Sequence, residues 1–403
     1  MRWYSSITRA QWKTLVAAQF GWMLDAMDVM LYAFALTAIR DEFRLTSAAA
    51  GAMASATLLA SAAGGVLFGV LADRIGRARA LVYSILTYSG FTALTATAGG
   101  VPTLLLWRSL VGIGLGGEWS AGSVLVAETW PAEHRGKAIG LMQSGWAIGY
   151  ILAALLAAAV LPRWGWRPLF VVGAAPALLA GWVLWSVPEP EPAMAQSGRL
   201  GRGSMLWQSA TLKRIGLASA VSSTVLFAYW GLFTWIPTYL ASPVARGGAG
   251  MSVVESAGWI VPMQVGAFFG YTTFGFLADR FGRRPVFLAF VWTAAVLVPI
   301  YSQWGRHPTA LLAMGPLIGF FGHGYFSVFG AMLAELFPST IRATAQGLCY
   351  NMGRAASALA PFTIGALADR FGIGSALAFT SVFFVIGGAL IFLLPETRGG
   401  KLS

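Results

Sequence analysis

Two aspartates and one arginine lie inside long apolar stretches of the chain, where charged side chains are rare. Asp25 and Asp28 are three residues apart in the first stretch, and Arg108 lies in the fourth. A spacing of three places both carboxylates on one face of a helix. At about 1.5 Å of rise per residue, Asp28 lies about 15 Å and Arg108 about 9 Å from the same side of the molecule. The spacing predicts a contact in which protonation of the carboxylate releases the arginine, which is a proton switch.

The same residues also admit a structural interpretation, because a permanent ion pair between Asp28 and Arg108 would lock two helices together. Asp25 would then line a cavity or act on its neighbour through like-charge repulsion. Glu118, in the same stretch as Arg108, is either a second protonation site or inner gate, or a hydrogen-bonded link to a neighbouring helix. We predict Asp25, Asp28, Arg108 and Glu118 as the proton-coupling residues, with Asp28 favoured as the carrier.

The second half of the chain carries an arginine, Arg354, deep inside an apolar stretch. Arg354 lies about 20 Å into the eleventh apolar stretch, and His323 is similarly deep in the tenth. An arginine at this depth needs an anion, and its planar guanidinium binds a carboxylate through two parallel hydrogen bonds. We therefore predict that Arg354 anchors a substrate carboxylate, with His323 as a polar or titrating neighbour. The alternatives are a salt bridge from Arg354 to Glu335 and a packing role for His323.

Further polar and aromatic side chains are candidates to complete such a pocket. Amides need hydrogen-bond partners in hydrocarbon, so Gln143, Gln264 and Asn351 are the stronger candidates. Each aromatic residue has packing or the membrane interface as its alternative. The predicted substrate-binding set is Arg354, His323, Asn351, Gln143, Gln264, Tyr32, Tyr229 and Trp230, with Trp146 and Trp235 as additional aromatic candidates.

The composition is that of an integral membrane protein. Hydrophobic residues make up 57% of the 403 residues and charged residues only 10%, against about a quarter in soluble domains. The net charge of +12 comes from basic residues scattered among apolar stretches, which argues against a nucleic-acid surface. Cys349 is the single cysteine, so a cysteine-based metal site is excluded. The glycine run at 112–117 lies inside an apolar stretch and predicts close helix packing, and we predict no cofactor and no metal.

Twelve apolar stretches approach the length of about 20 helical residues needed to cross a bilayer. Because backbone groups in lipid must bond internally, all twelve are predicted to be helices. The Pro-, Gly- and Ser-rich segment 188–211 separates residues 1–187 from residues 212–403. The predicted fold is all-α, with two six-helix bundles joined by a linker. The predicted spans are 13–39, 48–72, 79–99, 102–128, 136–161, 167–187, 212–240, 253–278, 285–303, 309–335, 341–366 and 373–394.

The basic residues also predict the orientation in the membrane. With the N-terminus inside, 18 Lys and Arg residues lie in cytoplasmic segments and 7 on the opposite side. This split satisfies the positive-inside rule and places both termini and the linker in the cytoplasm. No small-residue cleavage site follows a short apolar core, so an uncleaved first span is predicted.

One nine-residue sequence occurs in both halves. It reads Gly-Val-Leu-Ala-Asp-Arg-Ile-Gly-Arg at 69–77 and Gly-Phe-Leu-Ala-Asp-Arg-Phe-Gly-Arg at 275–283. Its recurrence at the ends of spans 2 and 8 indicates two similar membrane halves, duplicated and fused. Charged residues at these cytoplasmic helix ends suit a clasp that holds the outward-open state. The predicted gating residues are Asp73, Arg74, Arg77, Asp279, Arg280 and Arg283.

These sequences resemble the signature motifs of the major facilitator superfamily. The repeated sequence is similar to its loop motif, and Arg108-x-x-x-Gly112-x-Gly114-x-Gly116 is similar to its second motif. Two further sequences resemble motifs shared with the sugar-porter branch, namely Glu335-Leu-Phe-Pro-Ser-Thr-Ile-Arg342 and Pro395-Glu-Thr-Arg-Gly. The resemblance covers essentially the whole chain. It implies twelve transmembrane helices in two pseudo-symmetric six-helix bundles.

Within the superfamily, the opening of the chain and the sequence around Glu118 in span 4 look most like the sialate:proton symporter family, whose members carry sialic acid or lactate and pyruvate. The resemblance rests on Trp3-Tyr4, Thr8-Arg-Ala-Gln-Trp12, Gly21-Trp-Met-Leu-Asp25-Ala-Met-Asp28 and Gly116-Gly-Glu118-Trp. The aromatic-acid:proton symporters are next most similar and share the paired aspartates. The relation of Asp28 to Arg108 also resembles the proton-coupling pair of sugar:proton symporters.

Residues and resemblance together predict a secondary active transporter and not an enzyme. The predicted mechanism is proton symport of a small organic anion by alternating access, with lactate, pyruvate or a related sugar or aromatic acid as the expected class. Proton-coupled sugar or polyol symport and proton-driven drug export are the alternatives. The expected setting is a bacterial cytoplasmic membrane, with a monomeric carrier whose partners are the anion, the proton and lipid.

Overall fold

In a computed structural model of the chain, residues 7–131, 134–175, 177–178, 182, 208–338 and 341–397 are described, and every regular element among them is a helix. Two of these elements are short 3-10 turns, Val244–Arg246 and Ile391–Leu393. The α-helices are α1 (Arg9–Phe43), α2 (Ser47–Ile75), α3 (Arg77–Thr95), α4 (Val101–Thr129), α5 (Arg135–Trp164), α6 (Trp166–Val172), α7 (Ser209–Phe233), α8 (Ile236–Ala241), α9 (Val253–Phe281), α10 (Arg283–Gln303), α11 (Pro308–Gly324), α12 (Phe326–Glu335), α13 (Arg342–Ser357), α14 (Leu359–Phe371) and α15 (Ile373–Leu390).

The helices confirm the predicted membrane architecture. Spans 1–5 are the helices α1–α5, and spans 8, 9 and 12 are α9, α10 and α15. Spans 7, 10 and 11 each consist of two consecutive helices, namely α7 with α8, α11 with α12, and α13 with α14. Span 6 begins with α6, and most of its remainder lies outside the described residues, as do residues 188–207 of the predicted linker.

Prolines explain two of the three interrupted spans. A proline has no N–H to donate to the carbonyl four residues earlier. Pro237 therefore frees the carbonyl of Phe233, where α7 ends, and Pro361 frees that of Ser357, where α13 ends. The Phe233 carbonyl instead accepts a 3.0 Å hydrogen bond from the Tyr150 hydroxyl of α5. The carbonyl that is freed at the end of α7, in the second half of the molecule, thus forms a hydrogen bond to α5 in the first half.

The two bundles pack with the same pattern of helix pairs. In the first bundle α2 packs on α4, α1 on α5, and α3 on α6. In the second bundle the corresponding pairs are α9 on α11, α7 on α13, and α10 on α15. The bundles meet along two equivalent seams, α5 against α9 and α2 against α13 and α14. This arrangement is the pseudo-twofold symmetry expected of duplicated halves.

The repeated nine-residue sequence forms the same turn in both bundles. Gly76 has a φ of 100° and Gly282 a φ of 104°. Both values lie in the left-handed half of conformational space, where a side chain is strained. Each glycine ends one helix and immediately begins the next. The glycine in the repeat is therefore required by the sharpness of the turn.

The glycine run of α4 permits its backbone to approach α2 closely. A Cβ atom at Gly112 would collide with the carbonyl of Thr57, and one at Gly116 with the carbonyl of Ser61. The close helix packing predicted for this run is therefore confirmed.

The outer surface of the helices is suited to lipid. Large apolar side chains such as Leu59, Val66, Phe276 and Leu359 are more than half exposed along the helices. Seven helical segments of the described chain are long and apolar enough to cross a bilayer. The chain is therefore a multi-pass membrane protein.

Candidate functional site

The Asp28 carboxylate and the Arg108 guanidinium form the contact that their depths predict. Arg108 Nη1 lies 3.4 Å from Asp28 Oδ2, and both side chains are buried. The other carboxylate oxygen accepts a hydrogen bond from the Thr92 hydroxyl of α3. The guanidinium lies 4.9 Å from the ring centre of Tyr32 and 5.8 Å from that of Phe170. Asp28 is thus held by donors from two helices, and the arginine by an anion and two aromatic rings.

Asp25 and Glu118 are equally buried but have no such donors. Their side chains are 0% and 1% exposed, and neither accepts a hydrogen bond from a described residue. Glu118 lies against Gly21, where a Cβ atom would collide with its carboxyl group. An unpaired carboxylate inside a membrane costs several kcal/mol as an anion, so both are candidates to carry a proton.

Arg354 is the buried cation of the second bundle. It is 4% exposed, and its guanidinium makes no hydrogen bond or ion pair with any part of the chain that the structure describes. Glu335, its alternative partner, instead lies 3.3 Å from Arg283 and accepts a hydrogen bond from the Thr397 hydroxyl. Arg354 therefore has no fixed anionic ligand among the described residues.

A central cavity between the bundles brings the two arginines to one place. Its walls come from α1, α2, α4, α7 and α13, together with one residue that follows α7. Its water-accessible volume is about 20 Å³, which holds about one water molecule. This volume is too small for an organic molecule, so the cavity must widen before one can bind. The polar and aromatic lining consists of Arg108, Arg354, Tyr32, Thr57, Ser61, Trp230 and Thr234.

Four aromatic side chains beside this cavity form a continuous group, which we call the aromatic cluster: Trp22, Trp146, Tyr229 and Trp230. The ring centres of Trp22 and Trp146 are 4.7 Å apart, and those of Trp146 and Trp230 are 5.8 Å apart. Tyr229 completes the cluster 6.4 Å from Trp146. None of the three indole N–H groups or the Tyr229 hydroxyl has a hydrogen-bond partner among the described residues. The cluster therefore offers four buried donors, from both bundles, to an incoming acceptor.

The remaining predicted substrate-binding residues lie apart from the cavity. His323 is enclosed by rings, 3.9 Å from Phe233 and 5.2 Å from Tyr229 between centres, and neither of its nitrogens has a described partner. Gln264 is fully buried, and neither its amide nor the Gln143 side-chain oxygen has a hydrogen-bond partner in the described part of the chain.

Asn351 also lies off the cavity, where α13 crosses α2. Its Oδ1 atom is 3.0 Å from the position that a Cβ atom would take at Gly65. Of the eight predicted substrate-binding residues, the cavity therefore collects Tyr32, Trp230 and Arg354.

The predicted gating residues lie at the turns between helices. The side chains of Asp73, Arg77 and Asp279 lie outside the described residues, and those of Arg74 and Arg280 are exposed. Arg283 contacts Glu335, which links α10 to α12. The Glu396 carboxylate accepts hydrogen bonds of 3.0 Å from the first two amides of α10. The motif that resembles sugar porters thus caps a helix and ties it to its neighbours.

The bundles are joined at the end that the sequence predicts to face outward. The Asp369 carboxylate of α14 accepts hydrogen bonds from the backbone amides of Ser47 and Ala48, at 3.0 and 2.9 Å. The Phe362 amide donates to the Ser55 hydroxyl at 3.1 Å. A carboxylate at a helix N-terminus is favoured by the free amides and the helix dipole. In this conformation α2 and α14 are therefore closed against each other.

Several residues of the site were not predicted from the sequence. Trp22 lies three residues before Asp25 and so shares its helix face, which is a signal that sequence reasoning had available. Thr57 and Ser61 lie four residues apart on α2 and show the same kind of pattern. Thr92 gave no such signal, because a single hydroxyl in an apolar helix commonly bonds its own backbone.

Comparison with known proteins gives matches along the whole chain. A family model described as Major Facilitator Superfamily matches residues 20–270 and 249–402. A putative metabolite transport protein of Haemophilus influenzae is 36% identical over 97% of this chain and 98% of its own length. The cis,cis-muconate transport protein of Acinetobacter baylyi is 33% identical over 96% of this chain and 94% of its own. The sialic acid transporter NanX of Escherichia coli is 26% identical over 99% and 97%.

A solved structure shows the same architecture. The crystal structure of a D-xylose-proton symporter aligns with a TM-score of 0.77 at 20% identity, over 97% of this chain and 99% of that chain. At this level of identity the likeness concerns the fold alone.

Proposed function

Because the chain belongs to the major facilitator superfamily, we propose that this secondary transporter carries a small organic anion and a proton across the membrane in the same direction. Its place among transporters follows from the family and from relatives named as transport proteins. The anion and the proton are proposed from the charges of the central site.

The proposal rests on the burial of the Arg354 guanidinium without a described partner. A guanidinium that is 4% exposed and lacks any described hydrogen-bond or ion-pair partner is costly at membrane depth, by several kcal/mol. A substrate carboxylate that enters the adjacent cavity would supply the missing anion through charge-assisted hydrogen bonds. A neutral substrate would leave the cation uncompensated.

The aromatic cluster supports an acid with additional oxygen atoms. Its four unpartnered donors need acceptors, and its rings offer flat apolar faces to an unsaturated substrate. Two relatives are named for the acids that they carry, cis,cis-muconate and sialic acid. We therefore place unsaturated or hydroxylated carboxylic acids first among the substrates.

Proton coupling is proposed because buried acids outnumber buried bases in the described part of the first bundle. Asp25, Asp28 and Glu118 accompany Arg108 alone. Acids that bind and release protons allow an anion to enter against an inside-negative potential, which opposes each negative charge by about 2.3 kcal/mol per 100 mV.

The two alternatives from the sequence have less support. Sugar symport was suggested by Pro395-Glu-Thr-Arg-Gly, but Glu396 and Thr397 serve to cap α10 and to bond Glu335. Export of lipophilic cations is disfavoured because two arginines line the cavity. Neither alternative accounts for a buried Arg354 guanidinium that has no partner among the described residues.

We further propose a monomeric carrier in the cytoplasmic membrane, with both termini inside, as the basic residues indicate. The repeated loops would then lie at the inner face, where the Arg283–Glu335 contact holds α10 to α12. Opening and closing of this face would include the six predicted gating residues.

Uptake by purified protein in proteoliposomes tests the proposal. Radiolabelled cis,cis-muconate, N-acetylneuraminate and lactate are offered with an acidic exterior, and D-xylose serves as the neutral comparison. We expect accumulation of at least one acid and none of xylose. Replacing Arg354 with glutamine should reduce uptake of that acid at least 100-fold, because the bidentate anchor is lost.

Arg306→Gln is the matched control, since Arg306 is exposed and lies in the loop before α11. It should transport like the wild type. Uptake of the acid by Arg354→Gln at the wild-type rate would contradict the proposed role of Arg354. Accumulation of xylose and of none of the acids would contradict the proposed function.

A further inference from the structure

A second cavity, which we call the outer cavity, lies at the end of the molecule that the sequence predicts to face outward. Its volume is about 480 Å³, against about 20 Å³ for the central cavity. Its walls come from the last turn of α1, the start of α2, α8 with the turn that follows it, and the junction of α14 with α15. Both bundles therefore contribute to it, and its volume lies in the range of small-molecule sites.

The outer cavity lies on the same path as the central one. Tyr32 lines the central cavity and Arg40 the outer one, and these two residues are eight positions apart on α1, which is about 12 Å. Thr234 and Thr238 are divided between the two cavities in the same way along span 7. Trp235, between the two threonines in the chain, is fully buried. An acid that enters from the outer end therefore meets the outer cavity first.

The charges that line the outer cavity favour an anion. Three of its lining residues are charged, namely Arg40, Arg246 and Asp369. The Asp369 carboxylate already accepts hydrogen bonds of 3.0 and 2.9 Å from the amides at the start of α2. Neither guanidinium forms an ion pair or a hydrogen bond with any residue that the structure describes. The two arginines therefore leave the cavity wall with an excess positive charge.

Two buried donors of the outer cavity lack an acceptor. Thr238 is 2% exposed, and its hydroxyl has no hydrogen-bond partner among the described residues. The Nε atom of Arg40 is buried and equally without a described partner. Buried polar groups are normally hydrogen-bonded, so both donors indicate a ligand that supplies the acceptors. A carboxylate has two acceptor oxygens and the charge that a guanidinium requires.

Backbone contacts place both arginines at the cavity wall. The Arg40 carbonyl accepts a 2.9 Å hydrogen bond from the amide of Leu45, just after the end of α1. A Cβ atom at Gly372 would lie 3.0 Å from the Arg246 carbonyl, so the turn that carries Arg246 packs directly on the junction of α14 and α15. Arg246 itself is exposed. The wall is thus formed before a ligand arrives, with one arginine partly buried and one at the entrance.

We propose that the outer cavity is a second binding site for the carboxylate of the transported acid, with Arg40 and Thr238 as its donors and Arg246 as the charge at its entrance. The proposal rests on the proposed function. The acid would bind there while α2 and α14 are closed against each other, and would move on to Arg354 when they separate. Binding beside the closed entrance raises the effective concentration of the acid there, so loss of the outer site weakens the apparent affinity for external acid.

A direct count of bound acid tests the outer site. Purified transporter in detergent without phospholipid is dialysed to equilibrium with radiolabelled lactate, N-acetylneuraminate or cis,cis-muconate, whichever the wild type accumulates. Arg354→Gln lacks the proposed central anchor, so the acid that it still binds reports on the outer site. We expect Arg354→Gln to bind one acid per molecule. Adding Arg40→Gln should weaken this binding at least about tenfold, because a charge-assisted hydrogen bond is lost.

Arg370→Gln, added to Arg354→Gln, is the matched control. Arg370 is exposed next to Asp369 at the same end of the molecule, and it lies outside the outer cavity. Its replacement removes the same charge and should leave binding unchanged. Equal losses in the Arg40→Gln and Arg370→Gln proteins would show a general attraction by surface charge and would overturn the site. Displacement of the acid by an equal concentration of sulfate would show a site for any anion, and would overturn the assignment to a carboxylate.

Thr238→Val keeps the shape of the side chain and removes the hydroxyl, so it tests the site with little risk to folding. It should weaken binding to Arg354→Gln several-fold, since one donor to the acid is lost. Unchanged binding in both the Thr238→Val and the Arg40→Gln proteins would overturn the proposal.

Uptake kinetics in proteoliposomes separate the outer site from the central one. Arg40→Gln alone should raise the KM for the acid about tenfold and keep kcat within about twofold of the wild type. An unchanged KM in Arg40→Gln would overturn the outer site and leave the proposed function intact. Failure of the wild type to accumulate any of the three acids would instead overturn the proposed function.

Discussion

Replacing Arg108 with glutamine should leave a buried carboxylate without its counter-charge. Asp28 is 0% exposed and Arg108 lies 3.4 Å away, so the variant leaves the Thr92 hydroxyl as the described donor to Asp28. Removing one partner of a buried ion pair costs about 3–5 kcal/mol. Since about 1.4 kcal/mol is a factor of ten, the unfolding equilibrium should shift by roughly two to four powers of ten.

Equilibrium unfolding in mixed detergent micelles measures this loss, with the fluorescence of the 17 tryptophans as the signal. The matched control is the double variant Asp28→Asn with Arg108→Gln, in which neither charge remains. It should recover most of the lost stability, because the penalty comes from the uncompensated charge and not from packing.

Two results would refute the reasoning. If Arg108→Gln unfolds within about 1 kcal/mol of the wild type, the pair is not an ionised contact in the folded protein. If the double variant is as unstable as the single variant, the loss comes from packing against Tyr32 and Phe170. A large loss of stability in Arg108→Gln that the double variant recovers would support a lasting ion pair between Asp28 and Arg108. The coupling proton would then be carried by another acid.

Two further predictions concern contacts between the bundles. Tyr150→Phe should lower the free energy of unfolding by about 1–3 kcal/mol, because Pro237 leaves the Phe233 carbonyl no other described donor. The same unfolding experiment measures it, and an unchanged midpoint would contradict the assignment. Asp369→Asn should speed deuterium exchange of the first two amides of α2 several-fold, since the charge-assisted bonds of 3.0 and 2.9 Å are lost. Equal protection in both proteins would show that the carboxylate does not hold this end closed.

The membrane architecture was predictable because its signals are local. Runs of apolar residues define the spans, since each helix must satisfy its own backbone in lipid. The repeated turn was predictable for a related reason, because Gly76 and Gly282 occupy the same place in the same short sequence. The contact of Asp28 with Arg108 followed from depth alone, because both residues lie on continuous helices with a fixed rise.

The positions at which membrane spans are interrupted could not be predicted from the sequence. Spans 7 and 11 are uninterrupted in the hydrophobic pattern, yet each consists of two helices. Proline inside a membrane helix is compatible with either a kink or a break, and neighbouring groups decide which one occurs. Here the Tyr150 hydroxyl binds the freed carbonyl at the end of α7.

The sequence by itself determined how deep each charged residue lies, because hydrophobic length and helical rise convert residue number into depth. It did not determine which residues share a chamber, since that depends on the rotation of each helix and on the packing of one bundle against the other. Only the tertiary structure showed that Glu335 binds Arg283 and leaves Arg354 without a described partner, and that Arg108 and Arg354 line one cavity. Arg283 and Glu335 are 52 positions apart, and Arg108 and Arg354 belong to different halves of the chain, so no local pattern encodes these arrangements.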